Sequence, residues 1–393
     1  MGKVSLAKGL FWVGAIDWNI RSFHGYITPR GTTYNAYLIV DEKIALVDTV
    51  KAPFFSEMLE RIEEIVKPEE IDYVISNHVE VDHSGSLPMI MKLVKNAELI
   101  ATEKGKSGLT KYYKANWRFA TTKEKSELDL GKRKIKFIET PMLHWPDSMV
   151  TYVEGDNILL SSDAFGQHLA TSQRFDDQAN LGIVMQEAAK YYANIVMPFS
   201  TIVLNVLGKL QNLKINMIAP AHGVIWRTNP KKIVDAYGKW ARGESKNKVL
   251  IVYDTMWGST EIIAKALLDA ISSEDVEVDW FNLSKVDDSE VMTQVLDAKA
   301  LLVGSPTLNN GMFPTVARFL TYLKGLRPKE KIGACFGSYG WGGGAVKAME
   351  EELRRTGIDV VESNLDFRYV PDIEELRKAK DFGKMIAQRV KQS

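Results

Sequence analysis

The stretch that decides the fold is Asn77-His78-Val79-Glu80-Val81-Asp82-His83-Ser84-Gly85-Ser86, which follows a predicted buried strand at Ile71–Ile75. It contains four side chains that can bind metal ions, His78, Glu80, Asp82 and His83, within six consecutive residues. In an extended segment, alternate side chains would point to one side of the backbone, and a break at His83 could turn its imidazole toward the same centre. The stretch therefore predicts a site that can serve two metal ions.

Three more potential ligands follow other predicted strands, namely His144 after Lys134–Glu139, Asp163 after Ile158–Leu160 and His222 after Ile215–Ala219. A lone histidine is usually a surface or core residue, but this chain has only six histidines. His144 and His222 occupy the same strand-end position as His78. Asp163 adds a carboxylate that is able to bridge two ions.

The order His-x-Glu-x-Asp-His, then His, then Asp, then His resembles the flavodiiron branch of the metallo-β-lactamase superfamily. In the hydrolase branch the second position is normally histidine, whereas here it is Glu80. The resemblance implies two iron ions, the first bound by His78, Glu80 and His144, the second by Asp82, His83 and His222, with Asp163 as the bridge. Direct coordination by His83 stays open, because this side chain is the one most able to swing away and leave a water.

The ligand types in this set indicate iron rather than zinc. Carboxylates make up about half of the ligands, so the site is harder than a typical zinc site and suits iron or manganese. Anionic oxygen ligands stabilise the ferric state, and imidazole keeps the ferrous state accessible. A structural zinc site would instead be closed and rich in cysteine.

His24 and one of two adjacent tyrosines are the remaining candidates beside the metal ions. The resemblance implies that His24 and either Tyr191 or Tyr192 act in the handling of oxygen or nitric oxide, and we assign the catalytic roles to His24 and Tyr192. Composition alone would leave these side chains as packing residues. His168, which is close to Asp163 in the chain, has no assigned role.

Three loops in the C-terminal part resemble the FMN site of short-chain flavodoxins. Asp254–Glu261 opens a helix with hydroxyl side chains and glycine, so backbone amides can hold a phosphate without the lysine of a P-loop. In Ser305–Gly311 and Gly337–Gly344, small residues let the backbone approach a planar ring, and aromatic residues can stack on it. The predicted FMN contacts are Thr255, Met256, Trp257, Gly258, Ser259, Thr260, Pro306, Thr307, Leu308, Asn309, Asn310, Gly311, Ser338, Tyr339, Gly340, Trp341, Gly342 and Gly343.

Length and charge narrow the class of protein. A chain of 393 residues is longer than a single core usually supports, which predicts two domains. The 50 Lys and Arg balance the 50 Asp and Glu, so no net charge favours nucleic acid or an anionic membrane. The N-terminal segment has no cleavage site or long apolar run, and we expect a cytoplasmic protein without a transmembrane helix.

The single cysteine, Cys335, limits the redox chemistry of the chain. An internal rubredoxin or iron–sulfur centre needs several cysteine ligands, so the electrons must arrive from a separate protein. The apolar run around Cys335 indicates a small buried side chain.

The pattern of strands and helices predicts two α/β domains. In residues 1–246, a hairpin at Tyr34–Val40 and Ile44–Asp48 is followed by a helix at Phe54–Val66, and the resemblance implies a metallo-β-lactamase-like αββα sandwich. A charged stretch at Ala241–Lys248 is the predicted linker. In residues 247–393, short buried strands separated by helices indicate a flavodoxin-like, doubly wound parallel sheet.

The resemblance implies a flavodiiron reductase that converts dioxygen to water, nitric oxide to nitrous oxide, or both. Electrons would pass from rubredoxin, a deazaflavin or another external donor through FMN to two non-haem irons. In the family, the flavin of one protomer faces the iron site of its partner in a head-to-tail dimer, which can assemble into a dimer of dimers. The alternatives are a zinc hydrolase fused to a flavodoxin module and an electron carrier with a structural metal site.

Overall fold

The fold comes from a computed structural model that describes residues 2–392. The contacts between residues divide the chain into two compact units. The first unit contains the chain up to Tyr191 together with Thr201–Gly238, and the second contains Tyr192–Ser200 together with the chain from Lys239 onward.

The first unit contains two larger β-sheets and two short antiparallel strand pairs, β3–β6 and β4–β5. Its strands are β1 (Val4–Ala7), β2 (Leu10–Trp12), β3 (Ala15–Asp17), β4 (Ser22–Phe23), β5 (Tyr26–Ile27), β6 (Thr32–Tyr34), β7 (Tyr37–Val40), β8 (Ile44–Val47), β9 (Tyr73–Ile75), β10 (Glu98–Ala101), β11 (Phe119–Thr121), β12 (Glu127–Asp129), β13 (Lys134–Glu139), β14 (Met149–Glu154), β15 (Ile158–Leu160) and β16 (Met217–Ala219). The larger sheet has the order β1-β2-β7-β8-β9-β10-β11, and the smaller has the order β12-β13-β14-β15-β16. The predicted hairpin is confirmed, because β7 and β8 pair antiparallel.

The helices of this part of the chain are α1 (Phe55–Glu63), α2 (Val81–Ser84), α3 (Leu87–Leu93), α4 (Glu103–Tyr113), α5 (Leu181–Tyr191), α6 (Ser200–Leu210) and α7 (Pro230–Arg242). Short 3₁₀ turns occur at Ala52–Phe54 and Pro68–Glu70. Between α5 and α6, the chain forms a π-helix at Tyr192–Val196 and a 3₁₀ turn at Met197–Phe199.

The main core of the first unit lies between its two sheets. Val47 and Ile100 of the larger sheet belong to the same buried cluster as Phe137 and Val153 of the smaller sheet. A second cluster covers the other face of the larger sheet and includes Met58 of α1. Because both faces of the larger sheet are covered by apolar groups, polar side chains collect in the loops at its strand ends. The predicted sandwich is confirmed.

The second unit is a parallel sheet with helices. Its strands are β17 (Lys246–Tyr253), β18 (Glu277–Asn282), β19 (Ala298–Leu308), β20 (Gly311–Met312), β21 (Ile332–Tyr339), β22 (Asp359–Val360) and β23 (Leu365–Arg368), and its helices are α8 (Ser259–Ser272), α9 (Asp288–Asp297), α10 (Pro314–Leu326), α11 (Ala345–Arg355) and α12 (Ile373–Gln392). The order β18-β17-β19-β21-β22 is that of a doubly wound flavodoxin-like sheet, as predicted. Its switch point lies between β17 and β19, where such sheets bind ligands.

Each of the two units is built from two separate segments of the chain. Tyr192–Ser200 belongs to the second unit, in which Asn194 donates from Nδ2 to the carbonyl of Ser289 and accepts from the hydroxyl of Tyr322. The predicted linker is also ordered, because α7 extends to Arg242 and β17 begins at Lys246. The domain boundary after residue 246 stays a prediction.

One stretch in the described part of the chain is long and apolar enough to cross a membrane by length and composition alone. It is Leu181–Leu210, in which an 18-residue window has a mean hydropathy of 1.4, and 50% of that window is buried inside the protein. The stretch is divided into α5, the π-helix, the 3₁₀ turn and α6. Buried core helices have the same composition, so the expected absence of a transmembrane helix stays a prediction.

Candidate metal centre and flavin cavity

The central ligand stretch is bent rather than extended. His78 follows β9, Glu80 precedes α2, and Asp82 and His83 lie within α2. The prediction of an extended segment was therefore wrong, because one helical turn, and not strand alternation, brings Asp82 and His83 toward the site. The buried Asp48 braces the start of the bend by accepting hydrogen bonds from the Asn77 backbone amide (2.7 Å) and side-chain amide (2.9 Å).

The seven predicted ligands converge in two groups of buried or half-buried side chains. The ligand atoms of each group lie within 4.8 Å of one another, and the groups are His78, Glu80, His144 and Asp163, and Asp82, His83 and His222. His144, Asp163 and His222 arrive from the ends of β13, β15 and β16. Convergence of strand ends thus joins residues that lie far apart in the chain.

Asp163 connects the two groups through its two carboxylate oxygens. Oδ1 lies 3.2 Å from His83 Nε2 and 3.3 Å from His222 Nε2. Oδ2 lies 3.3 Å from His144 Nε2 and 3.7 Å from His78 Nε2. Each oxygen faces a different set of imidazoles, which is the arrangement that a bridging carboxylate requires.

The imidazole of His83 points into the second group rather than away from it. Its Nε2 lies 3.2 Å from Asp82 Oδ2 as well as from Asp163 Oδ1. This geometry favours His83 as a direct ligand, which the sequence had left open.

Hydrogen bonds to the opposite ring nitrogens orient two of the histidines. His78 Nδ1 lies 3.0 Å from Asp147 Oδ2, which also accepts from the backbone amide of Val79. His222 Nδ1 lies 2.6 Å from the carbonyl oxygen of Thr33. These contacts turn each Nε2 toward the centre, as is usual around metal-bound histidines. The sequence analysis missed Asp147, although its place three residues after His144 was a local signal.

The charges in the site fit the binding of cations. Burial disfavours charge on Asp163, but His83, His144 and His222 lower the pKa of this carboxyl well below its usual value. Burial opposes protonation of the histidines, but Asp82 and Asp163 raise the pKa of His83 to about 10 and that of His222 to about 9. The buried carboxylates therefore hold positive charge between them, and metal ions can take the place of the protons.

Orphaned atoms in the site support the same interpretation. Both carboxylate oxygens of Asp82 and Asp163, and Nε2 of His83, His144 and His222, are buried without a well-aligned hydrogen bond. Buried polar atoms are nearly always hydrogen-bonded. So many unsatisfied ligand atoms aimed at two centres fit two metal ions, and the mixture of carboxylate and imidazole suits iron.

His24 lies at the edge of this site, as predicted. Its Nε2 is 3.4 Å from Glu80 Oε1 and 3.9 Å from Asp82 Oδ2. The ring stacks on Phe23 at a centroid distance of 4.1 Å. The backbone of His24 has φ of 51°, in the left-handed region. Side chains held in such conformations are common at functional sites.

Tyr191, and not Tyr192, is the tyrosine beside the ligands. The Tyr191 ring lies 6.4 Å from His24, 5.0 Å from His168 and 6.1 Å from His222 between centroids, and its buried hydroxyl has no well-aligned hydrogen bond. Consecutive residues of a helix point about 100° apart, so only one of the two can face the site.

Tyr192 belongs to the second unit, as do Ser200 and Trp240, which it contacts. Its hydroxyl lies 2.9 Å from Ser200 Oγ, and its ring packs against Trp240. The structure therefore places Tyr191, and not the predicted Tyr192, beside the ligands. The unassigned His168 is also close, with Nδ1 2.8 Å from the hydroxyl of Thr32 and a ring centroid 4.9 Å from His222.

A cavity of about 620 Å³ lies at the carboxyl ends of the strands in the second unit, within the range typical of ligand sites. It is lined by three predicted loops, through Thr255, Met256, Trp257, Ser259, Pro306, Thr307, Leu308, Asn309, Asn310, Ser338, Tyr339, Gly340, Trp341 and Gly342. Gly258, Thr260, Gly311 and Gly343 belong to the same loops but are not part of the lining. Tyr369 and Val370 line it too, and the sequence analysis missed them because they follow the short strand β23.

The first loop is shaped to accept a phosphate. Gly258 has φ of 90°, and α8 begins at the next residue, Ser259. Asp254 holds the loop from behind, since it accepts from the Thr255 amide and from the hydroxyls of Ser284 and Thr315. The amides at the start of α8 are therefore available to an anion without any lysine.

The second and third loops approach each other closely. Asn309 and Asn310 have φ of 51° and 60°, as the central residues of a two-residue hairpin turn between β19 and β20. A Cβ on Gly344 would lie 2.6 Å from the carbonyl oxygen of Asn310. Trp257 and Trp341 are 89% and 92% exposed at the cavity, which leaves their rings free to cover a planar ligand.

Known proteins resemble this chain over nearly its whole length. The family model described as ODP family beta lactamase matches residues 32–223, and the Flavodoxin model matches residues 251–383. The nitric oxide reductase of Moorella thermoacetica is 49% identical, with 98% of both chains covered.

Two solved structures share the fold. The rubredoxin oxygen:oxidoreductase from Desulfovibrio gigas is 38% identical, with a TM-score of 0.95 and 99% of both chains covered. The flavodiiron protein from Giardia intestinalis is 37% identical, with a TM-score of 0.97, and the match covers 100% of this chain and 97% of that one. Both structural units of the chain therefore occur together in known proteins.

Replacement of the bridging carboxylate should remove iron without loss of flavin. We expect Asp163→Asn to weaken metal binding by at least about tenfold, because an amide offers one neutral oxygen where the site needs two charged ones. Metal analysis and the flavin absorbance of the purified protein measure the two cofactors separately. Asp177→Asn, which neutralises a surface carboxylate, is the control, and full iron content in Asp163→Asn would contradict the bridge.

The substitution Gly344→Ala should weaken FMN binding. The added Cβ would strike the Asn310 carbonyl at a backbone φ of 139°, and we expect about 10- to 100-fold lower affinity. Fluorescence titration of the flavin-free protein with FMN measures the change. Gly325→Ala, where a Cβ meets nothing within 4 Å, should bind FMN normally, and equal affinities in both variants would refute the role of this close approach.

Proposed function

Because the chain belongs to the flavodiiron protein family, we propose that it is a cytoplasmic reductase that converts dioxygen to water or nitric oxide to nitrous oxide at two irons, with electrons delivered through FMN. The observation that carries this proposal is the position of Asp163, whose two oxygens face the two groups of ligands. Such a bridge favours a two-ion site, and three carboxylates among the seven ligands favour iron over the zinc of a hydrolase. The flavin-sized cavity in the second unit supports the redox role.

The number of electrons fits the gas chemistry. Conversion of dioxygen to two waters takes four electrons and four protons, which equals the combined capacity of two one-electron irons and one two-electron flavin. Coupling of two nitric oxide molecules to nitrous oxide and water takes two electrons and two protons. Bound iron would supply electrons and open positions for these gases, and the protein must supply position and protons.

His24 and Tyr191 are placed to contact a gas molecule that binds between the two groups of ligands. His24 Nε2 is directed toward the carboxylates of Glu80 and Asp82, and the Tyr191 hydroxyl is buried beside the imidazoles. Burial raises the pKa of Tyr191 well above its usual value. The hydroxyl therefore keeps its proton at neutral pH and can donate a hydrogen bond to a developing anion.

The electrons must come from outside the chain. Its only cysteine, Cys335, is buried in the second unit, and no internal iron–sulfur centre can be built from one thiol. A rubredoxin-type donor is supported by the name of the similar Desulfovibrio gigas protein. We also propose a head-to-tail homodimer in which each flavin serves the irons of the partner subunit.

The direct test is gas consumption by the reduced holoprotein. We would photoreduce protein of verified iron and FMN content under anaerobic conditions and follow dioxygen and nitric oxide with electrodes in parallel. Multi-turnover loss of either gas is the expected result and identifies the preferred substrate. If neither gas is consumed with both cofactors in place, the proposal fails, and hydrolase activity of the zinc-loaded protein becomes the next hypothesis.

The two adjacent tyrosines provide a matched pair of variants. We expect Tyr191→Phe to lower turnover of the preferred gas by about tenfold or more, because it loses a hydrogen-bond donor beside the ligands. Tyr192→Phe should change turnover little, since its hydroxyl bonds to Ser200. Initial rates at equal iron and FMN content measure both effects, and a larger loss in Tyr192→Phe would reverse the assignment.

A further inference from the structure

A half-buried carboxyl group, that of Asp366, lies behind the third loop of the flavin cavity. Asp366 is on β23 and pairs in register with Gly337 of β21. Its Oδ1 is buried and makes no hydrogen bond among the described residues. A buried carboxylate oxygen without a hydrogen bond is unfavourable.

Asp366 is separated from the cavity by one layer of backbone. A Cβ on Gly343 would lie 2.9 Å from Asp366 Oδ2 and 3.8 Å from Cδ1 of Tyr339. A Cβ on Gly337 would lie 3.2 Å from Asp366 Oδ1. The glycines thus make room for the carboxyl group against the loop, and Tyr339 and Gly342 of the same loop line the cavity.

Few charges surround this carboxyl group. Leu365 and Phe367 belong to the core cluster of α8 and α12, so the alternation of the strand directs Asp366 to the opposite face. There the first turn of α11 presents the apolar Val346 to the same Gly337 position. Among the described residues no ion pair forms with Asp366. The nearest cation along the strand, Arg368, is exposed and donates from Nε to the Gly340 carbonyl.

The ionisable groups of the packed elements leave the negative charge of Asp366 uncompensated. They are Tyr339 at the end of β21, Lys347, Glu350, Glu351, Glu352, Arg354 and Arg355 on α11, Arg368 on β23 and Tyr369 after it. Within the described residues, none of them forms an ion pair with the Asp366 carboxylate. Burial is the cause that raises the pKa of Asp366, to about 6. At pH 7.5 the group therefore carries its charge, and its surroundings screen that charge less than bulk water would.

We propose that Asp366 lowers the reduction potential of the bound flavin by holding an unpaired negative charge behind the third loop of the cavity. The inference rests on the flavin role proposed for this cavity. Reduction of FMN adds two electrons and fewer than two protons when the hydroquinone is anionic, so the ring gains negative charge. The carboxylate of Asp366 repels this charge and makes the reduced flavin a stronger electron donor.

The test compares the affinities of one protein for oxidised and reduced FMN. The flavin-free Asp366→Asn variant and the parent are titrated with each form at pH 7.5 and low salt, the reduced form under anaerobic conditions. The removed charge should shift the ratio of the two dissociation constants by about tenfold in favour of reduced FMN. Asp366→Ser, also neutral but smaller, should shift the ratio in the same direction.

Two other variants serve as controls for charge. Glu351→Gln removes one negative charge from an exposed position on α11 and should leave the ratio unchanged. Arg368→Gln should shift it in the opposite direction and by less, because water screens the exposed guanidinium.

Three outcomes would overturn the proposal. An unchanged ratio in both Asp366 variants would exclude an electrostatic effect. Equal weakening of both affinities would assign Asp366 to loop packing alone. If the parent binds neither form of FMN, the flavin role of the cavity itself fails, and that result is distinguishable because it appears before any variant is compared.

Discussion

The two oxygens of Asp163 face two different groups of ligands, and the first unit is arranged around that carboxylate. His83 and His222 lie near one oxygen, and His78 and His144 lie near the other. Such a concentration of buried charge is unfavourable unless opposite charges compensate it. Bound cations provide that compensation, so metal binding and the stability of these loops are coupled.

The apolar sandwich holds this polar site in place. Its two sheets bury one continuous core, and the strand ends carry the ligands into a common region. Asp147 and the Thr33 carbonyl accept hydrogen bonds from the Nδ1 atoms of His78 and His222, and these bonds set the orientations of the two imidazoles. The position of each ligand atom therefore depends on residues that bind no metal themselves.

In the second unit, the shape of the flavin cavity depends more on backbone conformation than on charged side chains. The phosphate loop depends on free amides at the start of α8, and the hairpin turn at Asn309 and Asn310 has both residues in the left-handed region. Gly344 can lie close to that turn because it has no Cβ. Asparagine tolerates the left-handed conformation that the turn requires. Glycine, asparagine and hydroxyl residues after the predicted strands indicate such loops in the sequence, which is why most of the cavity lining was predicted.

The sequence by itself determined that both units are α/β, through apolar periodicity, and it limited the possible ligands, because the chain has few histidines. The sandwich fold of the first unit was implied by the family resemblance. It could not decide between Tyr191 and Tyr192, since adjacent helical residues have equal local propensity and only packing against His168 or Trp240 separates them. Asp147 and Asp366 were missed for a related reason. Their roles arise from contacts with residues distant in the chain. The place of Asp147 close to His144 was a local signal, but only the tertiary structure shows which side chain each carboxyl group contacts.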